Sequence, residues 1–461
     1  MAEATKTRVE GPLGRSYLEV TLAVLALVTI VAFEAMAVST AMPAVARDLD
    51  AVRSYGFAFS VMLTAQLLGI VLAGVWSDRS GPMVGAITGQ VLLAAGAAMC
   101  GSAMNLPLFL AGRALTGLGG GLLVVMLYVI AGRVYPEAIR PRLFTYVSAA
   151  WVLPSLLGAP ISAWLTTNLS WRWVFWGVVP PVLITMAALA HGRRRIDDSA
   201  LTTSVSTRDH SAHVRAAWAG LGIALSAGAL QLGTYELALR LTLQTGLALV
   251  GLVGVVVFAP MLVPRGTWRM ARGLPSVMLA RALFIGAFYA GITYVPLYLV
   301  GQRGLSLQTA GLSLAVGAIG WAGGAWYQGH DHLHLPRYRL VEVGGLLLAI
   351  GLAVVSAVAW LNLPWVVVPL ALVITGVAMG LGVTTTTVLA LELSPVEEHG
   401  EASSSLQLAD VLGSVLGIAA ATAAFAARHV PGQDEALFGA IFLGLALVAT
   451  VAIPAGQRIR T

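Results

Sequence analysis

The chain has 461 residues, of which 58% are apolar and only 10% charged, with a formal net charge of +6. Soluble globular domains carry about 25% charged residues, so aqueous catalytic domains, extracellular modules and nucleic-acid-binding domains are close to excluded. The composition points to an all-α polytopic membrane protein whose body is built from spanning helices.

A spanning helix takes about 20 mostly apolar residues, and the sequence offers fourteen such runs. A basic tail, 1–18, leads into the first run at 19–41, which carries Glu34. This run is too long for a signal peptide and is read as an uncleaved helix. The second, 54–76, carries Gln66, and the third, 83–103, holds Cys100, the single cysteine, so no internal disulfide or Cys-pair metal site is possible. The fourth, 107–132, contains Arg113, Gly117, Gly119 and Tyr128, and the fifth, 143–166, contains Trp151, Gly158 and Pro160. A sixth run at 172–190 closes a first bundle, 19–192, and a polar stretch at 193–215 reads as a cytoplasmic linker. The next pair, 216–235 and 241–262, is split only by a short polar knot, which leaves twelve helices as the alternative count. A second bundle, 276–455, follows, and a short tail, 456–461, ends the chain. Its runs are 276–300 with Arg281, Phe288, Tyr289 and Tyr294; 306–328 with Trp321; 338–360; 364–390 with Thr384 to Thr387; 403–427 with Asp410; and 435–455.

Charge placement sets an expected orientation. Nineteen of the 27 basic residues fall in the tails and even-numbered connections, six in the odd-numbered connections and two inside spans. By the positive-inside rule both termini are cytoplasmic. The same distribution answers the pI of about 9.7: the basic residues mark orientation rather than one nucleic-acid-binding face. His330, Asp331, His332 and His334 share a short loop, read as solvated polar residues rather than a metal site. No nucleotide-binding glycine-lysine run occurs in any loop. A short internal match is also present: Gly74-x-Trp76 and Gly324-x-Trp326 lie 250 residues apart, each 21 residues after an arginine, Arg53 or Arg303. It pairs helices 1–6 with helices 9–14 and makes helices 7 and 8 an insertion.

Four segments carry a family resemblance over about 19–455. Gly74-x-x-x-Asp78-Arg79-x-Gly81, after the second helix, resembles the loop signature of the major facilitator superfamily. Arg113-x-x-Thr116-Gly117-x-Gly119 is similar to its helix-4 motif, with Thr in place of Gln. Glu34, seven residues before Ala41-Met42-Pro43, resembles the acidic residue of the 14-helix drug:proton antiporter branch, and Gly158-Ala159-Pro160 is similar to a degraded copy of the antiporter motif. The resemblance implies two six-helix bundles with two helices inserted between them, rocking about a midplane cavity. It implies a loop at Gly74, Asp78, Arg79 and Gly81 that locks one conformation by charge contacts. It also implies proton-driven efflux of amphipathic small molecules from a bacterial inner membrane.

The residues support that reading independently. Ionisable groups inside a span are costly and usually functional, and only Glu34, Arg113, Arg281 and Asp410 lie well inside spans. Arginine does not deprotonate, so Arg113 needs an acceptor, and Glu34 lies at a matching depth. Burial favours the neutral carboxyl and a guanidinium favours the charged one, an opposed balance that suits a proton carrier. Asp410 and Arg281 join the candidate coupling groups, although a structural pair is the simpler reading. Gln66, Tyr128, Trp151, Phe288, Tyr289, Tyr294, Trp321 and Thr385 are candidates for a cavity with aromatic walls and few polar anchors. Gly117, Gly119, Gly158 and Pro160 read as packing devices. The expected partners are a small-molecule substrate, protons and the bilayer, with no cofactor, no metal, no nucleic acid and a monomeric chain. A lipid or metabolite carrier with the same engine is the nearest alternative. A membrane-embedded enzyme is disfavoured, because no cluster of acids, histidines or nucleophiles gathers at one membrane face.

Overall fold

In hydrocarbon every backbone N–H and C=O has to be satisfied within the chain, and helices do this locally. The computed structural model is accordingly helical throughout, with no strand among the described residues, which are 11–14, 17–136, 139–191, 210–235, 243–329, 335–395 and 399–460. The linker core at 192–209, the knot at 236–242 and the loop His330–His334 lie outside them.

Fourteen long helices are present among the described residues. The first six are α1 (Leu18–Asp48), α2 (55–80), α3 (Gly81–Gly101), α4 (Leu106–Val134), α5 (Arg140–Asn168) and α6 (Arg172–His191). The inserted pair is α7 (His210–Tyr235) and α8 (Leu243–Leu262). The last six are α9 (Leu274–Gly301), α10 (Leu307–Gln328), α11 (Arg337–Trp360), α12 (Val367–Glu392), α13 (His399–Arg428) and α14 (Glu435–Gln457). Eleven helices among the described residues are long and apolar enough to cross a membrane. We refer to the near face, where α1 begins and α14 ends, and to the opposite, far face.

Local chemistry sets several helix ends. Asn105 caps α4 by accepting the Leu108 N–H at 3.0 Å, with Pro107 at the first turn, where its missing N–H costs nothing. Ser306 caps α10 by accepting the Thr309 N–H at 3.1 Å. The second connection is shorter than the expected loop. Helix α2 continues to residue 80, and the chain turns at Gly81, with φ 75° and ψ 166°. That region is open essentially to glycine alone, and Pro82 then starts α3. Helix α1 likewise runs beyond 41 to Asp48 through Pro43, which places Glu34 near the middle of the helix rather than close to its far end.

Packing repeats between the halves. Gly117 and Gly121 of α4 lie against the carbonyls of Met62 and Gln66 on α2, so closely that an added Cβ would sit 2.0 and 2.1 Å from those oxygens. In the second half Gly376 and Gly380 of α12 lie against the carbonyls of Gly317 and Trp321 on α10, at 2.1 and 2.3 Å by the same measure. Both are small-x-x-x-small contacts that let helix backbones touch. Helix α4 also packs on α3, as α12 packs on α11, and α1 on α5 mirrors α9 on α13. The sequence match between α2 and α10 therefore marks a true pairing of helices 1–6 with 9–14. Helices α7 and α8 stand apart as a hairpin: Gly233 and Gly251 meet Ala248 and Leu230. Leu67 of α2, Ile223 of α7 and Val411 of α13 share one apolar cluster, so α7 lies over the seam between α2 and α13.

The halves meet mainly at the far face. Arg47 at the end of α1 donates to the Val300 carbonyl at 3.3 Å, and the rings of Tyr55 (α2) and Tyr294 (α9) lie 5.7 Å apart. Gly311 of α10 sits against Ala159 of α5 and Thr40 of α1. One core joins the far half of α1 and the start of α2 to the C-terminal bundle. The near half of the first bundle has a separate core of its own. The bundles thus close at the far face and part toward the near face.

A methyl group at Gly117 has no room, whereas Gly120 has nothing within 4 Å. We expect Gly117→Ala to cost about 1–3 kcal/mol through overpacking and Gly120→Ala to be neutral or slightly stabilising, as alanine favours helix. Thermal unfolding in detergent distinguishes them; equal melting temperatures would refute the contact.

Candidate functional site

Each bundle holds one internal ion pair. In the first, Arg113 of α4 reaches Glu34 of α1 in a short contact between Nη1 and Oε1, with side-chain exposures of 3% and 1%. The second terminal nitrogen of Arg113 lies 2.7 Å from Met62 Sδ, and its Nε donates to the Ala58 carbonyl at 3.4 Å. Both extra partners lie on α2, which the glycine contacts press against α4. Glu34 Oε2 is buried and has no hydrogen-bond partner among the described residues. Cys100 lies within electrostatic range of both charges.

In the second bundle Arg281 of α9 grips Asp410 of α13 in a two-pronged contact, Nε to Oδ1 and Nη2 to Oδ2, the latter at 2.8 Å. Its Nη1 donates to the Val383 carbonyl at 2.6 Å and to Thr387 Oγ1 at 3.0 Å, with Thr386 Oγ1 at 3.4 Å. The guanidinium is thereby saturated by fork geometry and hydroxyls. This pair is less enclosed: Arg281 is 11% exposed and Asp410 27%. Gly413 and Gly417 of α13, with Gly286 of α9, bring the two backbones together and set the reach of the pair.

The predicted cavity residues separate into groups. Tyr128 of α4 is 48% exposed and lies, with Tyr289 of α9, within electrostatic range of Asp410 and Arg281. Behind Tyr128 an apolar recess of about 70 Å³ is lined by Val24, Val28, Val31, Leu127 and Val147. Phe288 stacks edge-on to Tyr289 and Trp321 at 5.7 and 5.5 Å. Gln66 is half-buried and occupies the same packing position in α2 that Trp321 occupies in α10. Tyr294 does not line this space. It is fully buried in the far-face closure, donates to Thr422 at 3.2 Å and packs on Tyr55 and Phe425. Thr385 is also buried, with an unpartnered hydroxyl, while its neighbours Thr386 and Thr387 are the ones that meet Arg281.

The side chains of residues 74–80, including Asp78 and Arg79, and of Trp151 lie outside what is described; Gly81 supplies the turn. Gly119 packs on Gly89 of α3, and Gly158 on Met36 of α1 near Pro160 of α5. Among the described residues no group of three His, Cys, Asp or Glu forms a metal site. Sequence reasoning missed the far-face fastenings. Asp48 accepts from Trp171 and Arg172 at 3.0 Å each, and Arg303 binds Asn362, the Val358 carbonyl and Tyr298. For Arg172 a cue was available: it breaks the positive-inside pattern and is flanked by Trp171 and Trp173.

The model of the Major Facilitator Superfamily matches residues 24–418. An uncharacterized MFS-type transporter of Mycobacterium tuberculosis is 25% identical over 90% of this chain and 60% of its own length. The multidrug transporter protein MdtP of Bacillus subtilis is 25% identical, over 86% of this chain and 73% of its own. A probable multidrug-efflux transporter of M. tuberculosis is 24% identical, over 90% and 89%. The chain spans about 60% of the length of the first of these relatives. In fold, a crystal structure of a peptide transporter, POT, superposes with a TM-score of 0.72 at 16% identity, covering 98% of each chain. A D-xylose–proton symporter gives 0.63 at 17%, over 95% and 98%.

Removing one partner of a buried pair leaves an uncompensated charge, which costs about 3–5 kcal/mol. We expect Arg113→Met to destabilise by that order and Glu34→Gln/Arg113→Met to recover much of the loss. A double-mutant cycle on detergent unfolding measures the coupling, and strictly additive losses would mean that the pair carries none.

Proposed function

The chain belongs to the major facilitator superfamily, and from that premise we propose that it is a secondary active transporter that exports amphipathic or hydrophobic small molecules in exchange for protons, by alternating access. The observation that carries the proposal is the unequal exposure of the two ion pairs: Glu34–Arg113 is sealed beneath the far-face closure, and Arg281–Asp410 borders the space open to the near face. The relatives named for multidrug transport suggest the substrate class.

In this reading both termini are cytoplasmic, in the plasma membrane of a bacterial cell, which agrees with nineteen basic residues in the connections of that side against six. The near-face opening then faces the cytoplasm. A substrate enters between the Val24–Val31 wall and the aromatic group of Phe288, Tyr289 and Trp321. The wall offers apolar area without fixed polar anchors, so it accepts varied shapes of similar polarity.

Glu34 is the proton carrier in this scheme. A charged buried carboxylate needs all its lone pairs satisfied, and Oε2 lacks a partner among the described residues, so the scheme places the carried proton on that oxygen. Opening the far face would separate Tyr55 from Tyr294 and give Glu34 access to external water. Protonation removes the attraction to Arg113, and the freed guanidinium has Ala58 and Met62 of α2 beside it. A change at one residue can thus bias the α1–α2–α4 group that forms the closure. The energy suffices: a proton moving down 100 mV yields about 2.3 kcal/mol. That sustains roughly a fifty-fold substrate gradient per proton, given about 1.4 kcal/mol per factor of ten.

Reconstituted into proteoliposomes, the protein should move a lipophilic cation uphill when a pH gradient is imposed, without covalent change to it. Glu34→Gln should abolish the uphill movement and keep downhill exchange. Uphill transport at the wild-type rate in Glu34→Gln would remove Glu34 from the coupling step.

A further inference from the structure

A second concentration of charge, outside the two ion pairs, lies at the near face of the C-terminal bundle. Arg272, just before α9, and Gln457, Arg458 and Arg460, at the end of α14, line a polar pocket of about 490 Å³. Its wall is held in place. The Gly273 N–H donates to the Arg458 carbonyl at 3.1 Å, which ties the start of α9 to the end of α14. Ile459 is buried and anchors the segment between the two outer arginines. The guanidinium of Arg460 lies 4.9 Å over the ring of Tyr338. Positive φ angles at Gly266, Met270 and Gly273 fold the preceding loop back on itself, and that loop carries the exposed Arg265 and Arg269.

None of Arg265, Arg269, Arg272, Arg458 and Arg460 forms an ion pair among the described residues. Glu342 packs its stem on Gly456, next to the pocket wall. Like charges gathered around one hollow repel each other unless an anion sits among them. The planar guanidinium fork matches phosphate oxygens in a two-pronged geometry.

Exposed apolar residues flank the pocket's two segments along the chain. Trp268 is exposed beside Arg269, and Leu447, Val448 and Val451 present an exposed apolar face of α14 above Arg458. An indole at the interface and a greasy helix face suit a molecule with acyl chains, which a free anion does not have. We propose that this pocket binds the headgroup phosphate of an anionic phospholipid, whose chains lie along α14. The bound lipid clamps the first turn of α9 to the last turn of α14. Basic pockets between spanning helices at a membrane surface recognise anionic headgroups by this chemistry.

The full chain, purified in detergent, is titrated with phosphatidylglycerol, phosphatidylcholine or inorganic phosphate while its melting temperature is followed. Phosphatidylglycerol alone should raise the melting temperature of the wild type. The triple variant Arg272→Gln/Arg458→Gln/Arg460→Gln should bind it about a hundredfold more weakly, three arginines each worth roughly a factor of five. The far-face control Arg53→Gln/Arg428→Gln should behave as wild type. Equal responses to both lipids, an undiminished response in the triple variant, or full reproduction by inorganic phosphate would each overturn the proposal. Should the triple variant not fold, native mass spectrometry of the wild type with an equal mixture of the two lipids decides it. Selective retention of phosphatidylglycerol supports the site, and retention without preference refutes it.

Discussion

A charge inside a membrane-spanning bundle has to be answered within a few ångströms, because the surroundings cannot solvate it. That requirement fixes which helices must be neighbours. Arg113 on α4 needs Glu34 on α1, and Arg281 on α9 needs Asp410 on α13. Each pair forms only if the intervening helices bring the backbones close. The glycines of α4, α12 and α13 do that by admitting another helix's carbonyl where a Cβ would otherwise stand. Packing and charge placement are thus one arrangement: the glycines give the distance, and the ion pairs fix the register.

The two halves satisfy the same requirement with different exposure, and this difference gives the protein a direction. The first pair lies beneath a plug of Tyr55, Tyr294 and Phe425. The second borders the opening toward the near face. Within each bundle, contacts run from backbone to backbone and have no slack. Across the far-face seam the contacts are sparser: the Tyr55–Tyr294 ring pair, the approach of Gly311 to Ala159, and a hydrogen bond from Arg47 to Val300. A rearrangement that keeps the bundles intact and breaks only the seam is therefore the least costly motion available to the chain.

The passes were legible in the sequence because apolar run length is a direct consequence of bilayer thickness. Their ends were less so. A helix does not stop where its apolar run stops, and α1 continues through Pro43 to Asp48. Both ion pairs were legible for a simple reason: each bundle offers few ionisable groups at any one depth. Their further partners were not, since Ala58, Met62 and Thr387 depend on the rotation of α2 and α12 about their own axes. Tyr294 illustrates the same limit. Helix α9 is buried on nearly every side, so its sequence carries no periodicity that separates the cavity face from the far-face plug. Thr385 fails for a related reason, as four consecutive threonines point in four directions and composition cannot choose among them.

The recess behind Tyr128 is bounded by Val31, Val124 and Val147, which are partly buried, and by Val24 and Val28, which belong to the near-half core. The glycine contacts that hold the bundles together lie elsewhere, on the faces of α4 and α12 turned toward α2 and α10. Cargo and scaffold are thereby written in separate residues. A partly buried valine of the recess, Val31 or Val147, can become alanine or leucine without disturbing a glycine contact. A lineage carrying this chain could drift in what it recognises, one side chain at a time, while its architecture stays under a constraint that tolerates almost no change. Diversity of recognition on a fixed frame is then a property of where the small residues sit.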